Sequence, residues 1–125
     1  VLQIRIYYED TDCGGIVYHS QYFNFCERAR SEKFFQSGSM PQSKNSGFVV
    51  KKIEADFKAS AKLGDLIEVR SQLIELKNSS FWLNQSIYKE QALLFEAKIL
   101  LAYIKNGKLS KIENELKEKI RLFFV

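Results

Sequence analysis

Hydrophobic and polar positions alternate from the first residues of the chain. Leu2, Ile4, Ile6 and Tyr8 fall on one side and Gln3, Arg5 and Tyr7 on the other, the period-two pattern of a half-buried strand. The Gly14-Gly15 pair breaks that run. From Ser20 the period lengthens: Tyr22, Phe25, Cys26 and Ala29 recur at helical spacing, and Phe23 and Phe34 widen the apolar face. Glu27, Arg28, Arg30, Glu32 and Lys33 fill the polar side. Ser20 suits the N-cap, and Ser37-Gly38 followed by Pro41 suits the stop. The helix so predicted runs about 18 residues, or about 27 Å, enough to cross a small sheet.

The stretch 38–47, GSMPQSKNSG, reads as loop. Extended segments follow it. Ile53, Ala55, Phe57 and Ala59 alternate with Lys52, Glu54, Asp56 and Lys58 within a strand over 48–61. KLGD turns the chain, after which Ile67, Val69, Ser71 and Leu73 face opposite to Glu68, Arg70 and Gln72. KNSS turns it again before a strand at 81–88. Residues 91–104, QALLFEAKILLAYI, favour a helix by propensity. Yet Leu93, Phe95, Ala97, Ile99, Leu101 and Tyr103 alternate without a break and Asn106-Gly107 follows as a turn, so the segment is read as a strand. At the end, Ser110 and Glu113 have capping-box spacing, and Ile112, Leu116, Ile120, Phe123 and Phe124 form a helical stripe. The order of strand, long helix, four strands and short helix predicts an α+β fold: an antiparallel sheet of about five strands with one long helix on a face.

With 125 residues and 46% hydrophobic composition, the chain is long enough for one core and too short for two. A single domain is expected over 1–125, with 110–125 its C-terminal amphipathic helix. No apolar run approaches the roughly 20 residues that span a bilayer, and the opening VLQIRIYYED has no signal-peptide core, so a cytoplasmic protein is expected. Cys13 and Cys26 lack framework spacing and read as reduced thiols; one histidine and two scattered cysteines give no metal site, and no cofactor is expected. The net charge of +4 suits an anionic small ligand or an acidic carrier protein, and is too diffuse to indicate nucleic acid.

One stretch asks for more than packing. YYEDTDCGGIVYHSQY, from Tyr7 to Tyr22, sets Glu9, Asp10 and Asp12, two glycines, a cysteine and the only histidine between a strand end and a helix start. An acidic trio at a turn is most often a solvated turn. Here Gly14-Gly15 permits close approach of a ligand, and the helix that follows begins with unpaired N–H groups and a positive partial charge. Such a site suits an oxyanion or a polarised carbonyl. A carboxylate ionised at neutral pH and set against it can attack an activated acyl group or deprotonate a water that does. Thioesters fit, because a thiolate departs without strong protonation. The bland reading of His19 is a residue that packs at a helix start; Cys13 with His19 as its base is the weaker nucleophile.

The run Tyr8–Tyr22, together with FCERARSEKF, GFVVKKIEADFKASAKLGD and NSSFWLNQSIY, resembles the hot-dog acyl-CoA thioesterases, and within them the YbgC-like, Tol-Pal-associated branch of the 4-hydroxybenzoyl-CoA thioesterase family. The resemblance implies a long central helix wrapped by a curved antiparallel sheet, and hydrolysis of acyl-CoA. It places the catalytic carboxylate at Asp12 and the carbonyl-polarising N–H at His19, whose side chain matches a histidine of that branch. It makes Tyr18 and Gly15 candidates for substrate contact, and leaves Tyr8, Val17 and Tyr22 to packing. It also implies a dimer or tetramer with sites at subunit boundaries, where strand 48–61 and the KNSS turn of another chain supply a wall. Lys58, Lys62 and Arg70 are candidate contacts for coenzyme A phosphates, and an acyl carrier protein is a candidate partner. Two alternatives remain at this point: a hydroxyacyl thioester dehydratase using His19, and a non-catalytic module docking an acyl carrier or a membrane through Ser110–Val125.

Overall fold

Residues 21–36 become a helix because their apolar positions meet a sheet. In the computed structural model, which describes residues 1–125, α1 (Gln21–Gln36) buries Tyr22, Phe25, Cys26, Ala29 and Phe34. Its last turn closes where Ser37 and Ser39 N–H groups both reach the Phe34 carbonyl and Gly38 takes φ +80°, a left-handed value that favours glycine. Ser20 occupies the N-cap position, but its side chain caps nothing; the entry is held instead by the Gln21 N–H on the Tyr18 carbonyl at 2.9 Å.

Strands β1 (Leu2–Arg5), β2 (Ser46–Phe57), β3 (Leu66–Leu76), β4 (Ser80–Lys89) and β5 (Ala92–Lys105) form one antiparallel sheet in the order β1-β3-β4-β5-β2, with the two-residue β6 (Lys108–Leu109) hairpinned onto β5. The alternation of 92–105 therefore overrides its helical propensity, as tertiary context commonly does. Ile67, Val69, Leu83, Ile87, Phe95 and Ile99 point to the concave face and are buried. At its centre the fully buried Gln85 donates to the Cys26 carbonyl (3.0 Å) and Ser71 Oγ (2.8 Å) and accepts from Arg30 (3.0 Å). Register slips at Lys51, Ile74 and Leu94 each add one residue to a strand. Such bulges raise local twist and bend the strand, and so help curl the sheet round α1.

Two expectations are corrected. The first strand ends at Arg5; Tyr8 lies in a 3-10 turn, Tyr8–Asp10, with its ring 81% exposed rather than on the inward side. The last helix, α2 (Asn114–Phe123), begins four residues after Ser110, and no capping box forms. The Ser110 N–H pairs with the Tyr103 carbonyl, while the Glu113 carboxylate is taken by the Tyr103 hydroxyl at 2.9 Å. Ile112, Ile120 and Phe124 are buried, and Phe123 packs edge-on against Phe34. The amphipathic tail thus spends its stripe on its own core. No helix is long and apolar enough to cross a membrane.

Candidate active site

The oddest stretch folds as two consecutive turns with different jobs. In the first, the Asp10 carboxylate, 5% exposed, accepts from the Tyr7 N–H (2.9 Å) and from Gln21 Nε2 (2.8 Å), and the Asp10 carbonyl accepts from the Tyr18 N–H (3.3 Å). One buried residue thereby bolts the 3-10 turn to the first residue of α1. In the second turn the Asp12 N–H pairs with the Ile16 carbonyl (2.9 Å) and the Asp12 carbonyl with the Gly15 N–H (3.1 Å). Asp12 Oδ1 accepts from the Gly14 N–H at 2.8 Å, and Oδ2 has no partner. Gly15 holds φ +79°, and a Cβ on Gly14 would stand 3.2 Å from Asp12 Oδ1. The glycines thus let the loop wrap its own carboxylate while leaving one oxygen free.

The loop is clipped to the chain beyond β2. Val17 N–H pairs with the Ala61 carbonyl, and Ile16 bridges to Lys62. Leu94, the bulge residue of β5, turns its carbonyl to the N–H groups of both Lys58 and Ala59 at 2.8 and 3.1 Å, steering the end of β2 toward the loop. Between these elements lies an open cleft of about 340 Å³ bordered by Asp12, Tyr18, His19, Tyr22, Phe57 and Lys58. Tyr22 forms its floor: the ring stacks on Phe95 at 5.3 Å, the hydroxyl accepts from the Ala61 N–H at 2.9 Å, and burial raises its pKa.

At the start of α1 the N–H groups of His19 and Ser20 have no hydrogen-bond acceptor in the protein, whereas those of Gln21, Tyr22 and Phe23 are engaged. The His19 ring packs 4.3 Å from Tyr18 and edge-on to Phe57 at 6.1 Å, with no hydrogen bond to Asp12. Cys13 is exposed and makes no hydrogen bond to His19. A free carboxylate oxygen and free backbone donors at a helix start thus share one cleft, as attack on a carbonyl and stabilisation of its oxyanion require.

Of the basic candidates, Lys58 lines this cleft. Lys62 adjoins it through the Ile16 bridge, its own N–H going to Asp65 Oδ2 at 2.8 Å. Arg70 is not brought there: it lies on the convex sheet face, paired with Glu68 and 4.2 Å from the Tyr88 ring centroid. Gly15 sits in the loop, and Tyr18, 51% exposed, stands at the rim. The roles of Asp10, Phe57 and the Tyr22 hydroxyl were not read from the sequence. Only the Asp10–Gln21 spacing hinted at the first, and it is no more suggestive than many others.

The model of the thioesterase-like superfamily matches residues 7–120. The chain belongs to this family. An acyl-CoA thioesterase YbgC of Helicobacter pylori is 46% identical over 87 residues, which cover 70% of this chain and 65% of that protein. An acyl-CoA thioesterase YbgC of Haemophilus influenzae is 34% identical over 113 residues, covering 87% and 83%. A crystal structure of an Aquifex aeolicus protein aligns with TM-score 0.88 at 28% identity, covering 94% of this chain and 96% of that one. The superfamily's curled sheet about a central helix is the architecture described above, and both turns of the site lie inside the matched residues.

Proposed function

We propose that this chain hydrolyses acyl-CoA thioesters to free acid and coenzyme A. The observation that carries the reading is the free Oδ2 of Asp12 in the same cleft as the unpaired N–H of His19. The thioester carbonyl accepts from that N–H, and the positive end of α1 stabilises the oxyanion as it forms. The Asp12 carboxylate either removes a proton from the attacking water or attacks the carbonyl itself, giving an anhydride that water then opens. In both routes a C–S bond breaks, a C–O bond forms and the thiolate leaves with coenzyme A. His19 aids by placing its N–H and by packing on Tyr18 and Phe57. Lys58 lines the cleft and Lys62 adjoins it, which supports a role for both in binding the phosphates of the leaving group. No Asp12–His19 hydrogen bond exists to set up proton abstraction, which leaves the dehydratase reading without support.

The site is completed by a second copy. β2 is a twelve-residue edge strand whose outer N–H and C=O groups, past the Ser46 carbonyl that accepts from the Ser43 N–H, pair with nothing in the chain, and α1 lies over β3 and β1, reaching β2 only where Tyr22 and Phe23 meet Phe57. Its concave side chains Val50, Ile53 and Phe57 stay 44, 37 and 48% exposed. A long apolar edge of this kind is covered in native proteins by pairing, here edge to edge about a two-fold axis. Two such dimers would make a tetramer. A cytoplasmic setting goes with two thiols that are not joined to each other. The same thioester on an acyl carrier protein would meet the same groups.

The test is a panel of CoA esters from acetyl to palmitoyl, with hydroxyacyl and aromatic esters, run on the wild type and on Asp12→Asn while free thiol is measured. Hydrolysis lost in a folded Asp12→Asn protein supports the reading; near-wild-type hydrolysis ends it.

A further inference from the structure

The Tyr22 hydroxyl carries a proton that no group of the chain accepts. A phenol oxygen can both accept and donate, and when buried it usually does. Tyr103, the other buried tyrosine, gives its proton to Glu113 Oε1 at 2.9 Å. Tyr22 only accepts, from the Ala61 N–H at 2.9 Å. Burial raises its pKa, against the pull of that N–H, so the proton stays on the oxygen at neutral pH. The ring is not free to swing toward another acceptor. It stacks on Phe95 at 5.3 Å, and Phe25 and Phe57 meet it edge-on at 6.1 and 5.9 Å. Ala61 is equally fixed: it is fully buried, and its carbonyl holds the Asp12 loop through the Val17 N–H at 2.9 Å. Though almost wholly buried, Tyr22 borders the same cleft as Asp12, His19, Ala59 and Ser60.

With aromatic rings around it and the Ala61 N–H on one side, the hydroxyl has the cleft as its polar outlet. Asp12 Oδ2 lacks a partner there too. One group offers a hydrogen with no acceptor and the other an acceptor with no hydrogen, and a single water satisfies both. We infer that Tyr22 holds the water that attacks the thioester, its O–H directed to the water oxygen while one water hydrogen is directed to Asp12 Oδ2. This rests on the hydrolase reading and deepens it by choosing the general-base route. Of the water's two lone pairs, one accepts from Tyr22 and the other is left for the carbonyl carbon. As the C–O bond forms, the water proton passes to Asp12 Oδ2 and the carbonyl oxygen becomes an oxyanion held by the His19 N–H. Collapse breaks the C–S bond, the electron pair leaves on sulfur, and the proton on Asp12 is released to the thiolate or to solvent. Tyr22 keeps its own proton throughout. Direct attack by Oδ2 would leave the Tyr22 hydrogen without a use in the first step.

The test removes the proton while keeping the ring. Tyr22→Phe lowers kcat on the best CoA ester of the panel by about 10- to 100-fold and leaves KM nearly unchanged, the scale on which misplacing a reacting group acts. That variant also strands the Ala61 N–H, so two further proteins of matched shape separate donation from packing. With 4-fluorophenylalanine at position 22 the space is filled and no proton is offered, and kcat stays low. With 4-aminophenylalanine an N–H is offered from the same place, and most of the kcat returns. Equal kcat for the fluoro and amino proteins overturns the inference, as does a folded Tyr22→Phe protein with wild-type kcat. A rapid burst of thiol matching the enzyme concentration in Tyr22→Phe, followed by slow turnover, overturns it as well, because the acyl group has then reached Asp12 without that water. Asp12→Asn run alongside keeps the two readings apart. If it is inactive while Tyr22→Phe is fully active, the hydrolase reading stands and only this inference falls; if it is active, the hydrolase reading itself is lost.

Discussion

Asp10 and Asp12 stand two residues apart and could hardly be treated more differently. The first is buried, and both of its carboxylate oxygens are committed, to Tyr7 and Gln21. The second is exposed, with one oxygen tied to Gly14 and the other unengaged. A carboxylate whose lone pairs are all taken can hold a turn in place but cannot serve a substrate; one held by a single bond is aimed and still available. The first turn is therefore scaffold for the second: it fixes the start of α1, where His19 borders the same cleft as Asp12.

That division can be broken by exchanging damage between the two turns. The largest expected effect is on turnover in Asp12→Asn, a fall of about 10²- to 10⁴-fold, with thermal stability close to wild type by calorimetry. Asp10→Ala should do the reverse in kind. It leaves the Tyr7 N–H and the Gln21 amide, both part-buried, without their acceptor and costs about 1–2 kcal/mol, read as a lowered midpoint in urea, with a secondary loss of activity. A stable but inactive Asp10→Ala protein would mean that the scaffold role has been given to the wrong acid.

The thiols repeat the contrast between buried and exposed. Burial pushes the Cys26 thiol up to about 12 from 9.0. A folded-state pKa above the unfolded one contributes stability that is whole below pH 9.0 and fades as pH rises toward about 12, because the unfolded chain gives up its proton first. Comparing Cys26→Ala with the wild type by chemical denaturation at stepped alkaline pH should show a shallower decline in the variant, by up to about 1.4 kcal/mol per pH unit. The smallest change sharpens the aim of Asp12. In Gly14→Ala the new methyl group meets Asp12 Oδ1 at 3.2 Å and must push it by a few tenths of an ångström. A loss in kcat of about three- to fivefold is expected with folding intact, since misplacement of reacting groups is costly even below 1 Å.

Much of the fold was legible where a local pattern and the tertiary demand agreed. The alternation of Phe95 to Tyr103 sets one face of β5 against the core, while Leu93, expected in the same set, pairs with Tyr88 beyond the bulge at Leu94 and falls outside it; helical spacing from Tyr22 to Ala29 does the same for α1. Local spacing misled where a distant residue competed for the same atoms. Ser110 and Glu113 have the spacing of a capping box, but Tyr103 takes the Glu113 carboxylate and the Ser110 N–H, and that tyrosine lies beyond the hairpin turn. The glycine loop around Asp12 was visible because φ and chain reversal are local properties; that Asp10 would be the buried acid was not, because Gln21 decides it. Arg70 was offered to coenzyme A on charge alone, although its own strand's alternation already assigned it to the face away from α1. The small cavity lined by Phe34, Phe48, Phe81 and Leu101 had no sequence signal, since α1, β2, β4 and β5 meet there with the loop before β2 and with Phe124.

The extra residue at Lys51 has a bearing on how the chain can change. Phe48 and Val50 sit at even positions and Ile53, Ala55 and Phe57 at odd ones, yet their Cα partners Tyr103, Leu101, Ile99, Ala97 and Phe95 all belong to one alternating set, so both groups look toward the core. The slip reconciles two otherwise incompatible phases. It gives β2 a one-codon tolerance in length: a deletion at this point keeps every inward side chain inward, whereas one in the regular half of the strand would invert all that follows it.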